Sequence, residues 1–432
     1  MKKYLDINVY EAVQNRLKYI FDNFDNIYVS FSGGKDSGLL LNLVLDYKRR
    51  HNITKKIGVF HQDFEAQYQA TTDYVESMFL KNMDDIVPYW VCIPQGSRCA
   101  VSNYQMYWYP WDDLKEEEWV RPMPKYDFII NLKNHPFDFY RYKMAQEDFY
   151  AEFGQWYARN HPGNTICLLG LRADESLNRF RAYASDHKIT FGDGKWTTKM
   201  GERFYHGYPL YDWATKDVWI ANGKFEFEYN KIYDLFYKAG LSIHQMRVAS
   251  PYHESAKDSL NLYRVLDPQT WVKVVARVQG ANFGAIYGNT KVLGSKRFDL
   301  PKGHTWRSYV KFLLATLPDE IRENYIAKFK TSIRFWWKHG GVVNKEAIKE
   351  LEACNYRIRN RGKGNRSTKD QIVFLGTPDD TDDIKSTIDI PSWKRMAICI
   401  LKNDHLCKYM GFAQTKKQSE RERELIEKYK NL

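Results

Sequence analysis

The stretch Tyr28-Val-Ser-Phe-Ser-Gly-Gly-Lys-Asp-Ser-Gly38 sets what the rest of the chain can be. Asn26 to Phe31 is apolar and β-branched like a short buried strand, and Ser32-Gly33-Gly34 is a tight turn. Ser37 to Arg49 has the apolar density of a helix packed on a sheet. A glycine pair between strand and helix lets the backbone approach a ligand closely, and the first N–H groups of the helix point outward with a partial positive charge. Such a turn is a seat for phosphate. It is not a Walker A loop, which needs four residues between its glycines and a Lys followed directly by Ser or Thr. Here Asp36 separates Lys35 from Ser37.

A chain of 432 residues exceeds what one growing core accommodates, so a nucleotide-binding domain over 1–254 and a mainly helical region over 255–432 are expected. The formal charge of +12 points to an anionic partner, nucleotide or nucleic acid. The first residues lack the apolar run of a signal peptide and no long apolar run spans a bilayer, so a cytoplasmic chain with no membrane partner is expected. The six cysteines are irregularly spaced with no C-x-x-C, which fits reduced thiols; no Fe–S cluster is expected.

Along the chain, Asn8 to Phe24 carries one apolar helical face, and a second strand runs from about Lys56 to His61. Ligands of open parallel sheets bind beyond the carboxyl ends of strands, which predicts Asp63 and Glu65, with His61, near the phosphate seat; a solvated polar loop is the alternative. A helix over Ala66 to Lys81 and a strand over Ile86 to Cys92 follow. Residues 94–136 are rich in Trp, Tyr and Pro without a period, an insertion that either covers the site with Arg98 and Arg121 or packs on its own aromatics. Phe137 to Asn160 reads as helix, and Thr165 to Gly170 as a strand leading to Arg172, Glu175, Arg179 and Arg181, where guanidinium forks suit an anion. Lys188 to Phe204 reads as a hairpin turning at Gly192-Asp-Gly194. A last short strand in Tyr208 to Trp219 leads to a helix with Thr215 as N-cap.

Beyond Ser255 helices dominate. Basic and aromatic residues interleave over 304–311 and 328–338, as for nucleic-acid binding or for helices with a basic face. Arg357 to Lys369 and the acidic Asp379 to Asp383 read as loop material, and Gln418 to Leu432 as a charged helical tail.

Ser-Gly-Gly-Lys-Asp-Ser resembles the PP-loop of the ATP-pyrophosphatase superfamily. Gly170-Leu-Arg-Ala-Asp-Glu-Ser176 is similar to the G-x-R-x-x-E-S motif of phosphoadenosine phosphosulfate (PAPS) reductases, and Tyr208 to Trp219 to their P-L-x-D-W-T-x-x-D-V-W segment. Asp63 to Tyr68, Ala239 to Arg247, Gly280 to Asn282 and Gly411 to Thr415 resemble the PAPS-reductase-like family DUF3440, which includes immunoglobulin-binding regulator A type proteins. The resemblance implies an α/β, adenine-nucleotide α-hydrolase-like (Rossmann-like) fold. That is a mostly parallel five-stranded sheet flanked by helices, plus a C-terminal mainly helical region.

The resemblance also implies ATP or PAPS held at its phosphates by Ser32, Gly33, Gly34, Lys35, Asp36 and Ser37, with Gly170, Arg172, Glu175, Ser176 and Arg179 completing the anion site. Lys35, Asp36 and Arg172 act on the reacting phosphates, and Asp36 either positions Mg²⁺ or caps the helix. A ParB-like protein partner and a role in phage defence are implied by family likeness alone. The reductase segment Glu-Cys-Gly-Leu-His is missing, so cleavage of ATP to AMP and pyrophosphate with adenylyl transfer is the leading expectation. A nucleotide-sensing regulator acting through a ParB-like protein or DNA is the first alternative. PAPS reduction through Cys399 or Cys407 is the second.

Overall fold

Asn26–Ser30 (β1) is buried on both faces: Ile27 and Val29 enter one apolar cluster and Tyr28 another, as expected of a central strand in a sheet covered on both sides. A computed structural model describes residues 5–102, 104–175, 179–180, 188–253, 260–281, 300–363, 370–384 and 390–412. Before β1 runs helix α1 (Val9–Asn23), opened by a capping box in which Asn8 Oδ1 accepts from Glu11 N–H at 2.9 Å and the Glu11 carboxylate accepts from Asn8 N–H at 3.4 Å. Val13, Leu17 and Ile20, four and three residues apart, are fully buried against the sheet. After β1 come α2 (Lys35–Arg50), β2 (Ile57–Gln62), α3 (Gln69–Lys81) and β3 (Ile86–Cys92).

The aromatic insertion carries β4 (Ser97–Arg98) and β5 (Tyr107–Trp108), paired with each other, a 3-10 helix at Asp113–Glu118, and β6 (Ile129–Asn131). Then follow α4 (Gln146–Asn160), β7 (Thr165–Leu168), β8 (Thr197–Lys199), β9 (Phe204–Gly207), α5 (Thr215–Lys224) and α6 (Ile232–Lys238).

The main sheet has seven strands in the order β6-β3-β2-β1-β7-β9-β8, all parallel except the edge strand β8. Five strands were expected; β6 and β8, three residues each, extend the two edges and are too short to show a period. Helices α1 to α3 cover one face and α4 the other, where Phe149, Phe153, Trp156 and Tyr157 meet Tyr28, Phe60 and Cys167. Burying each such large side chain contributes about 1.5–3 kcal/mol.

Several local expectations are corrected. The chain from Phe137 enters the core as turns, with Phe137, Phe139 and Met144 buried, and the helix begins only at Gln146. The hairpin turns between Lys199 and Phe204, whereas Phe191 and Gly194 form only an isolated bridge. The last strand of the main sheet, β9, precedes Tyr208, and the N-cap of α5 is Ala214, whose N–H donates to Asp217 Oδ2 at 2.7 Å, so Thr215 is the first helical residue.

The C-terminal part begins with α7 (Leu260–Leu266) and α8 (Pro268–Arg277), which share a cluster with the insertion and α6. Helices α9 (Trp306–Ala315) and α10 (Asp319–Lys338) follow. Strand β10 (Gly341–Val343), helix α11 (Lys345–Ala353), strands β11 (Ile358–Lys363) and β12 (Asp370–Phe374), and α12 (Trp393–Leu401) complete it. A three-stranded antiparallel sheet, β10-β12-β11, therefore stands where helices and loop were expected. Asp379 is also more than loop material: its Oδ2 and Oδ1 accept from Trp306 and Arg307 N–H at 2.9 Å each, capping α9. The tail 418–432 lies outside the described residues. No described helix is long and apolar enough to cross a membrane.

Candidate functional site

From β1 the chain moves outward through β2, β3 and β6, then returns to place β7 on the other side of β1. In open parallel sheets a crevice forms where the strand order reverses, at the carboxyl ends. A cavity of about 730 Å³ lies there, lined by Ser30 and Ser32 after β1 and by Leu169 and Gly170 after β7.

Its floor is the Ser32–Ser37 turn. Gly33 has φ +75°, the left-handed region, and a Cβ there would stand 2.9 Å from Val75 Cγ2 and 3.0 Å from Thr71 Cγ2, so α3 admits only glycine beneath the loop. Fully buried Asn230 donates from Nδ2 to the Gly33 carbonyl and to Thr71 Oγ1, both at 2.9 Å. Ser32 N–H donates to Ser37 Oγ at 3.1 Å and the two hydroxyls lie 2.9 Å apart, which closes the turn. Gly34 occupies the N-cap of α2 and offers no side-chain acceptor, leaving the positive end of the helix facing the cavity. Lys35 N–H donates to the Tyr233 hydroxyl at 3.0 Å; burial pushes that phenol's pKa up, so it stays neutral.

Charges alternate across the wall. Lys35 Nζ is 2.9 Å from Asp36 Oδ2, and Arg172 Nε is 2.6 Å from Asp36 Oδ1. Arg172 Nη2 reaches Glu175 Oε1 at 3.5 Å, and Glu175 also pairs with Arg179. Lys35 is 7% exposed, and burial draws its ammonium pKa down against the opposing pull of Asp36. Arg172 is 2% exposed and its remaining Nη1 donates to the Trp213 carbonyl at 3.4 Å, so the guanidinium is held chiefly by protein and fixes Asp36. Gly170 permits this approach: a Cβ there would stand 2.9 Å from Asp36 C, Asp36 O and Ser37 N.

Of the residues expected at the site, Ser32, Gly34, Lys35, Asp36, Ser37, Gly170, Arg172, Glu175 and Arg179 line this cavity, and Gly33 lies beneath it. Ser176 and Arg181 fall outside the described residues. Asp63 and Glu65 stand elsewhere, fully buried and away from the lining, with only Phe64 between them reaching the cavity.

Asp63 accepts from Trp90 Nε1 at 2.8 Å and pairs with Arg121; burial raises its carboxyl pKa, but Arg121 and His61 outweigh that and hold it below the usual range. Glu65, at φ +60°, accepts from Trp111 N–H at 2.7 Å and Val120 N–H at 2.9 Å, and Arg277 Nε lies 2.9 Å from its Oε1. Both carboxylates therefore fasten the insertion. The insertion's two expected arginines divide: Arg121 is spent on Asp63, while Arg98 lines the cavity and pairs with Glu147 at 3.0 Å.

A protein-held Mg²⁺ fits this donor set poorly, because each Asp36 oxygen already faces a cation. Among the described residues no group of three or more His, Cys, Asp or Glu is placed to hold a metal. No cysteine is among the residues lining the cavity; Cys399 and Cys407 are fully buried in the cluster of α9, α10 and α12.

His244, Arg247 and His253 also line the cavity and Tyr233 meets the loop, none of them singled out from sequence for chemistry. Tyr233 comes from α6 and the other three from short turns without periodicity, all about 200 residues from the loop; the Ala239-to-Arg247 resemblance touched only His244 and Arg247.

The family described as "Domain of unknown function (DUF3440)" matches residues 240–421. Over 420 residues the chain is 32% identical to the uncharacterized protein YbdN of Escherichia coli (strain K12), spanning 96% of this chain and 93% of that one. Among solved structures, Candida glabrata FMN adenylyltransferase is similar over 54% of this chain and 62% of its own length, at 15% identity and TM-score 0.30. PAPS reductase from Candida auris, as its phosphate complex, is similar over 54% of this chain and 94% of its own, at 14% identity and TM-score 0.28.

Proposed function

The chain belongs to the DUF3440 family, and from that premise we propose that its cavity holds an adenine nucleotide by the phosphates and cleaves ATP between the α and β phosphates, passing AMP to an acceptor. The observation that carries this reading is the uncapped start of α2, with Lys35, on the floor of a cavity at the point where the strand order reverses.

Departure of pyrophosphate concentrates negative charge on the bridging oxygen. Fixed donors that already point at that charge need no reorganisation, so the α2 N-terminus and Lys35 lower the barrier electrostatically. Asp36 keeps Lys35 in place and is itself held by Arg172. Mg²⁺ carried in by the nucleotide would supply further neutralisation of the phosphates.

The test mixes purified protein with α-labelled ATP and Mg²⁺ and looks for AMP or an adenylylated product. Turnover unchanged by Lys35→Ala combined with Ser37→Ala overturns the assignment. PAPS reduction is disfavoured, because an attacking thiolate must reach the substrate and Cys399 and Cys407 are enclosed elsewhere.

A second reading, a nucleotide-sensing regulator that contacts nucleic acid, draws on β11. This edge strand exposes Arg359, Arg361 and Lys363. Loss of duplex DNA affinity at low salt in the triple Ala variant supports it; equal affinity removes it.

A further inference from the structure

The phosphate loop accounts for one wall of the cavity. The cavity carries further cations that nothing in the nucleotide reading uses. Arg247 and His244 line it from the turn after α6, and Arg98 joins from β4. Arg98 has Glu147 as its counter-ion. Arg247 is exposed and makes no ion pair or hydrogen bond with any described residue. Its charge nonetheless acts on the loop side, where it works against the protonated forms of Lys35 and Arg179. A guanidinium kept within reach of two other cations is unfavourable until an anion arrives. At about 730 Å³ the cavity lies in the upper part of the range of about 300–1,000 Å³ usual for small-molecule sites, which leaves room beside one ligand for a second.

We propose that Arg247, with His244, forms an oxyanion subsite for the second substrate, so that the acceptor of AMP is a small carboxylate or phosphate. This rests on the ATP-cleaving reading and adds the class of acceptor to it. An ionised acceptor oxygen uses a lone pair to form a bond to the α-phosphorus. The bond from that phosphorus to the oxygen bridging the β-phosphate breaks, and pyrophosphate leaves with the electron pair. No proton has to move, because the acceptor arrives deprotonated.

Calorimetry on the full chain tests it. The protein is first saturated with α,β-methylene-ATP and then titrated with inorganic phosphate and, separately, with acetate, which distinguishes a phosphate from a carboxylate subsite. The expected result is that at least one of the two anions binds the nucleotide-loaded wild type. Arg247→Ala weakens that anion at least tenfold while changing affinity for the ATP analogue by less than twofold, and Arg247→Lys recovers part of the loss. If Arg247→Ala weakens the ATP analogue as much as the anion, Arg247 belongs to the nucleotide and the subsite is refuted while ATP binding stands. If neither anion binds the loaded wild type, the subsite is likewise refuted. If the wild type fails to bind the ATP analogue at all, the ATP-cleaving reading fails and the subsite falls with it.

Discussion

Replacing Gly170 by Ala tests whether the end of β7 must press against the start of α2. The added Cβ would meet Asp36 C, Asp36 O and Ser37 N, all at 2.9 Å. These are backbone atoms in the first turn of a helix, so no side chain can swing aside. Ordinary contact lies about 0.5 Å further out, and relieving the clash moves Gly170 and Arg172 away from Asp36. Overpacking of this kind costs about 1–3 kcal/mol. The 2.6 Å contact between Arg172 and Asp36 lengthens with it, which frees Asp36 and loosens Lys35.

If half of that cost falls on the nucleotide-competent arrangement, ATP affinity drops about two- to twelvefold, at about 1.4 kcal/mol per factor of ten. Chemical denaturation measures the first quantity and calorimetry with α,β-methylene-ATP the second. Gly223→Ala serves as the control: it lies in α5 with nothing within 4 Å of its new Cβ, so it is neutral or stabilises the chain by up to about 1 kcal/mol. Gly170→Ala with wild-type stability and wild-type affinity would refute the argument.

Arg277→Met leaves the fully buried Glu65 without its cation and should cost about 3–5 kcal/mol. Limited proteolysis should then cut within 109–120, where Glu65 holds Trp111 and Val120, and an unchanged digestion pattern would count against the clamp. Burial lowers His206 from the usual 6.5 to about 4, so the unfolded chain binds the proton first. Stability present above pH 6.5 is therefore lost as pH falls toward about 4, and His206→Phe should flatten that part of the acid-unfolding profile. Five of the six cysteines are buried and Cys354 is half-buried, so a thiol reagent should label Cys354 first in the native chain, and Cys354→Ser should remove the fast phase. Asp379→Ala removes two acceptors from the start of α9 and should cost about 0.5–2 kcal/mol by denaturation.

The part of the site made within one strand, turn and helix was legible in sequence, because Asn26 to Arg49 states its geometry locally. Burial of Ile27 and Val29 on one face and Tyr28 on the other follows from that apolar run. The Arg172 and Glu175 pair was also readable, although sequence does not show that Arg172 would be spent on Asp36 and the Trp213 carbonyl. Asp63 and Glu65 misled because a polar residue after a strand looks the same whether it meets solvent, ligand or a buried arginine. What decides between these is Arg121 for Asp63, 58 positions further on, and Arg277 for Glu65, 212 positions further on. The left-handed Glu65 also delays α3, which starts at Gln69 where Ala66 was expected. Asn230 left no trace, since a single polar residue in a turn has no period to reveal it, and Arg247 was touched only by the family likeness of Ala239 to Arg247.

Tyr252 binds two neighbours at once: its carbonyl accepts from Ala100 N–H at 2.8 Å, and its hydroxyl donates to the Val274 carbonyl at 2.9 Å. The insertion, the turn bearing Arg247 and the helix bearing Arg277 are thereby riveted into one piece. A fragment stopping near residue 240 would keep the phosphate loop yet lose its roof. Under the acceptor subsite proposed above, swapping the latter half of the chain for that of a relative would exchange acceptor preference and leave nucleotide preference behind.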